Sequence, residues 1–225
     1  MAGEAVTDMQ KLGIFQQGAR ISGLVLSAIV LGACASSKEG VSLPSSTSYG
    51  SQTTSPETYN YLIGPGDSVQ IFVWRNPEVS QGVTVRPDGK ISTPLVEDLQ
   101  ASGKTPTQLA RDLEKALETY IRQPIVTVIV AGGIGPYSEQ IRVVGQAAKP
   151  QAIAYKQKMT LLDVMIVVGG LTQFADGNKT KVVRVVDDKQ KEYEVRVNDL
   201  LNDGDITANV DMLPGDILIV PESWF

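Results

Sequence analysis

Histidine is absent from the 225 residues, cysteine occurs once, and aromatic side chains make up 6% of the chain, with two tryptophans among them. Without histidine there is no imidazole base, no histidine metal cluster and no Ser-His-Asp triad. One thiol, Cys34, leaves no second partner for an internal disulfide and no soft thiolate metal site. The formal net charge of −5 argues against a phosphate-backbone partner, because such binding draws its affinity from counterions released around basic side chains. Long apolar runs are missing too: residues 21–33 fall short of the ~20 that a membrane-crossing helix needs.

That short run is nonetheless informative. Lys11 and Arg20 precede it, small residues close it, and Leu31-Gly32-Ala33-Cys34 ends it, which is the layout of a secretory signal. Residues 1–33 are expected to be a signal peptide and residues 34–59, rich in Ser, Thr, Pro and Gly, a flexible tether.

Ordered structure is expected from about Tyr61. Val69, Ile71 and Val73 alternate with Gln70, Phe72 and Trp74, a strand pattern. Asp67, after Gly64-Pro65-Gly66, offers a short acceptor to nearby amides. Residues 83–85 read as a second strand, turned by Arg86-Pro87-Asp88-Gly89 into Lys90-Ile91-Ser92-Thr93. Thr105-Pro106-Thr107-Gln108 starts a helix with a capping box, and Leu109, Leu113, Ala116, Leu117 and Tyr120 form its apolar stripe. Residues 125–130 are a strand, and the glycine-rich 131–136 stretch reads as a junction.

A second unit follows. Residues 139–145 alternate as a strand, and Thr160 caps a short helix carrying Leu161, Leu162, Met165 and Ile166, stopped by Gly169-Gly170. Strands at 181–186 and 191–197 flank an Asp187-Asp188 turn. Leu213-Pro214-Gly215-Asp216 then precedes a last strand, echoing Gly64-Pro65-Gly66-Asp67 by reuse of one turn chemistry. The fold class is α+β, with modules at residues 60–135 and 136–225.

Catalytic chemistry finds little support. Asp67, Asp88, Asp176, Asp205 and Asp216 adjoin glycine or proline at turns, where capping explains a carboxylate, and the sequence supplies no acid pair of the kind that must face each other across a sugar-sized cleft. Neither Asp187-Asp188 nor Asp203-Gly204-Asp205 has the ligand pattern of a calcium loop. The glycine-rich stretches lack the capped helix that a phosphate cradle needs. No cofactor, no metal and no enzymatic activity are expected. Trp74 divides between packing and an interface or ligand, and Trp224 close to the chain's end suits a contact with a neighbouring protein.

The ordered set of motifs resembles the outer-membrane polysaccharide export family. Tyr61-Leu62-Ile63-Gly64-Pro65-Gly66-Asp67, Val85-Arg86-Pro87-Asp88-Gly89-Lys90-Ile91 and Arg122-Gln123-Pro124-Ile125-Val126 are similar to its export domain. Ile141-Arg142-Val143-Val144-Gly145 and Leu213-Pro214-Gly215-Asp216-Ile217 are similar to its β-grasp-like soluble-ligand-binding (SLBB) domain. The short form that accompanies exosortase-type systems is the nearest version. One departure is Val96-Glu97-Asp98, where the family often has a glycine.

The resemblance implies a lipobox with Cys34 acylated, and an outer-membrane anchor facing the periplasm, since Ala35 rather than aspartate follows the cysteine. It implies a homo-oligomeric ring that conducts polysaccharide from an inner-membrane chain-length or co-polymerase protein toward a separate outer-membrane β-barrel, the chain having no pore helix of its own. Asp67, Trp74, Arg86, Asp88, Lys90 and Trp224 are the candidates for polymer or subunit contact. Two alternatives stay open: a monomeric periplasmic carbohydrate-binding lipoprotein, and a polysaccharide-modifying enzyme.

Overall fold

The computed structural model describes residues 50–224. The leader, Cys34 and the tether up to residue 49 lie outside the described residues. Among those described, no helix is long and apolar enough to cross a membrane.

The first module is built on β1 (Ser68–Val73), whose side chains alternate strictly between solvent and core, as a strand with one buried face requires. β2 (Gln81–Thr84) pairs with one edge of it. β3 (Lys90–Thr93) and β4 (Val96–Gln100) form a separate hairpin, and β5 (Val126–Gly132) pairs with the other edge of β1, giving the antiparallel order β2-β1-β5. The turn at 86–89 is present, with Gly89 N–H bonded to Arg86 O, yet the strands it joins belong to different sheets.

Between β4 and β5 lies α1 (Pro106–Leu117). Thr105 Oγ1 accepts from Gln108 N–H at 3.2 Å, and Gln108 Oε1 accepts from Thr105 N–H at 2.8 Å, so the two groups satisfy each other's orphan donors. The helix buries Leu109, Ala110, Leu113 and Leu117 against Val69, Ile71, Val73 and Val126. Each of the leucine, isoleucine and valine side chains contributes roughly 1.5–3 kcal/mol of burial. Tyr120, expected to extend the stripe, lies beyond the helix and is exposed.

In the second module β6 (Gln140–Gly145) pairs with β7 (Ala152–Ala154). After α2 (Leu161–Val168) come the hairpin β8 (Thr180–Val186) and β9 (Lys189–Val195), the short α3 (Val197–Leu201) and β10 (Ile217–Val220). The order is β7-β6-β10-β8-β9, so the last strand completes the sheet at its centre, parallel to β6 and antiparallel to β8. Asp187 and Asp188 both have positive φ, 52° and 57°, which fits the tight turn preferred by a two-residue hairpin. α2 buries Leu161, Val164, Met165 and Val168 over Ile141, Val143, Leu218 and Val220. The architecture is α+β in two modules, each with its own apolar core.

Residues 50–59, which composition assigns to the tether, are held on the second module. Ser51 Oγ donates to Glu139 Oε2 at 2.8 Å, and the Tyr59 and Tyr155 rings meet edge to face at 4.8 Å. Burial, followed by the Glu139 charge, pushes the Tyr59 hydroxyl up to about 12.

Candidate functional site

The outward face of the β2-β1-β5 sheet is the most unusual surface of the first module. Alternation along β1 turns Ser68, Gln70 and Phe72 outward, with Trp74 next on the same side. Register sets Gln70 opposite Ile129 and Phe72 opposite Thr127, and Trp74 N–H donates to Ile125 O at 2.9 Å. Gly82 and Thr84 complete the face from β2. None of these residues is ionisable, in a chain with 20% charged residues. Phe72, Trp74, Ile125 and Ile129 are 46%, 53%, 60% and 55% exposed, and the two rings meet edge to face with centroids 6.4 Å apart. An apolar centre free of charge is what protein interfaces present at their cores.

The opposite end of β1 carries the remaining candidates of the first module. Gly66 and Asp67 exchange backbone bonds with Val85, which brings the Asp67 turn beside Arg86. The Arg86 guanidinium pairs with both Asp88 and Asp98 on the surface, and the bond to Asp98 leads the causes that raise its pKa. Lys90 N–H donates to Asp88 Oδ1 at 3.2 Å. Such exposed pairs add little to stability, because water and salt screen them. Trp74 stands off from this cluster by the length of β1, six residues or roughly 20 Å at strand rise. The structure therefore brings together Asp67, Arg86, Asp88 and Lys90, sets Trp74 apart, and places Trp224, 94% exposed, after β10.

Asp67 itself is 1% exposed. Its Oδ2 accepts from the Tyr61 hydroxyl and from Gly64 N–H, and its Oδ1 from the N–H groups of Ile134 and Gly135 at 3.1 and 3.2 Å. Burial first, then the bond to Asp67, pushes the Tyr61 hydroxyl far up. Asp216 repeats the local part of this arrangement. Leu213 N–H donates to Asp216 Oδ2 at 2.8 Å, as Gly64 N–H donates to Asp67 Oδ2 at the same distance, and Gly66 and Gly215 take φ of 87° and 85°. The two Pro-Gly-Asp turns are one device used twice, with glycine supplying the positive φ that the turn needs. Their remaining partners differ: Asp216 receives a bidentate guanidinium, Arg184 Nε and Nη2, both at 2.7 Å.

Sequence reasoning singled out Trp74 but not Ile125 and Ile129. Within an unbroken run of branched residues, inward and outward positions look alike, and only pairing with β1 resolves them. Among the described residues no group of three or more His, Cys, Asp or Glu side chains is arranged to hold a metal ion.

Comparison with known proteins divides the chain at the same place as its cores. Residues 55–131 match the family "Polysaccharide biosynthesis/export protein" and residues 139–220 match the SLBB domain. The chain is 24% identical, over 72% of its length, to the EPS I polysaccharide export outer membrane protein EpsA of Ralstonia nicotianae, and 25% identical over 71% to its namesake from Ralstonia solanacearum. It is 26% identical over 53% of its length to the exopolysaccharide production protein ExoF of Rhizobium meliloti. The chain spans about half the length of the first two relatives, 47%, and 30% of the third.

Proposed function

We propose that the chain is a member of the polysaccharide export family, joining an export domain to an SLBB domain, and that it is a periplasmic, outer-membrane component of exopolysaccharide export. Identical subunits close into a ring, and polymer delivered by an inner-membrane chain-length or co-polymerase protein passes through it toward a separate outer-membrane β-barrel. A lipid on Cys34 holds the ring at the membrane. No covalent bond is made or broken, so the work is positioning and conduction rather than catalysis.

The observation that carries this reading is the charge-free face of the export domain. Closed rings use one surface of each subunit against a different surface of the next, and Phe72, Trp74, Ile125 and Ile129 supply an apolar surface that is uncovered in the single chain. Arg86 and Asp88, exposed and ion-paired at the far end of β1, and the half-buried Lys90, whose backbone N–H bonds to Asp88, are assigned to polymer hydroxyls. Trp224 is assigned to a neighbouring protein. Asp67 is too deeply buried to touch either and acts by holding its turn.

Deleting the gene tests the export reading. Polymer synthesised but retained inside the envelope is the expected phenotype. A strain that makes no polymer at all, or one that secretes it normally, rejects conduction.

A further inference from the structure

Glycine-rich segments between modules are ordinarily flexible, but the one in this chain is held at several successive points. Asp67 takes the N–H groups of Ile134 and Gly135, where the first module runs out into the linker, on one oxygen. A Cβ at Gly133 would overlap that carboxylate, and one at Gly64 would overlap the Gly135 carbonyl carbon. From the second module, Gln140 Nε2 donates to Gly135 O at 2.8 Å, while a Cβ at Gly215 would come within 2.7 Å of Ser138 O. Glu139, 3% exposed, is bonded in turn by Ser51 Oγ and Gln52 N–H. The two Pro-Gly-Asp turns thus press on successive parts of one linker, one turn from each module.

Two buried carboxylates, Asp67 and Glu139, flank this linker, and among the described residues neither has a cation within ion-pair distance. Burying a charge without a counter-ion is tolerated only where hydrogen bonds replace the lost water, and here the donors are the linker amides and the strap at 51–52. A group so expensive to bury lies at the junction rather than within either apolar core.

We propose that residues 133–139 form a rigid elbow, and that Asp67 is the positioning residue that fixes one module against the other through the Ile134 and Gly135 amides. The elbow does not depend on the export reading. Only its consequence does: a ring in which the export and SLBB tiers keep a set offset.

Hydrogen exchange on the full chain tests it. In the unaltered protein the Ile134 and Gly135 amides exchange as slowly as those of a strand. Asp67→Asn turns an NH2 group against N–H donors, and exchange at these two amides rises roughly 10–100-fold, the loss expected for a bond to a charged acceptor, while α1 and β10 keep their protection. Gly133→Ala, outside both cores, opens the same two amides and serves if Asp67→Asn prevents folding. The proposal is overturned by fast exchange at 134–135 in the unaltered chain, or by unchanged protection there in both variants. Loss of protection in α1 in step with 134–135 in both variants also overturns it, because Asp67 would then serve only the folding of its own module.

Discussion

At the scale of single residues, two aspartates with the same local turn chemistry settle their charge in different ways. Asp67 satisfies its oxygens with one hydroxyl and three backbone amides, whereas Asp216, 0% exposed, relies on the planar fork of Arg184. The bond to Asp216 is the leading cause that raises the Arg184 pKa. Removing one partner of a buried pair leaves the other charged and dry, so Arg184→Met should destabilise the chain by ~3 kcal/mol. Urea unfolding measures this, and an unchanged midpoint would show that Asp216 finds water instead. Tyrosine titration provides a second residue-level test. Tyr59 and Tyr61 both ionise above the ordinary value of 10.0, Tyr59 at about 12, with burial as the first cause in each. Unfolded tyrosine loses its proton near pH 10 while these two keep theirs when folded, so their contribution to stability is complete below pH 10 and declines above it, for Tyr59 until about pH 12. Phenolate absorbance should show a late-titrating group among the seven tyrosines; simultaneous ionisation of all seven would contradict the packing of Tyr59 on Tyr155.

Helices and strands are where local signals either suffice or fail. Thr105 and Gln108 announce α1 three residues apart, and the capping bonds form as that spacing implies. Thr105→Ala should therefore cost ~1 kcal/mol, read as a lower thermal midpoint; no shift would mean that tertiary packing alone holds the helix start. α2 was less legible. Its start at Thr160 and its stop at Gly169, φ 80°, follow from the sequence, but an apolar segment has no polar face to set its rotation. Leu161, Val164, Met165 and Val168 are buried while Ile166 is 68% exposed, a division that naming the helix's apolar residues did not make. β4 escaped notice because Val96-Glu97-Asp98 alternates poorly and because Leu95 and Asp98 take positive φ, 70° and 53°, which side chains disfavour. The strap at 50–59 was hidden for another reason. Its anchor, Glu139, lies 88 residues from Ser51, and no local pattern encodes a contact at that separation.

For the whole molecule the question is assembly. The exposed face of the first sheet, three strands at ~4.8 Å spacing and ~20 Å long, covers only a few hundred Å², less than the ~800 Å² per partner of a stable interface. The proposed ring contact would therefore have to extend beyond it. The second sheet also turns apolar side chains outward, Val144 and Ile219, 44% and 38% exposed, so both modules have surface to contribute. A rigid elbow between them would let two small patches act as one surface, since little orientational freedom would be lost on binding. The most direct test is the mass of the detergent-extracted full chain by native mass spectrometry, measured beside the double variant Trp74→Asp, Ile129→Asp. A closed multiple of the mature subunit, residues 34–225 with the lipid on Cys34, is predicted for the unaltered protein, and folded monomer for the variant. Monomer in both, or the same closed multiple in both, would contradict a ring joined through the charge-free face of the export domain.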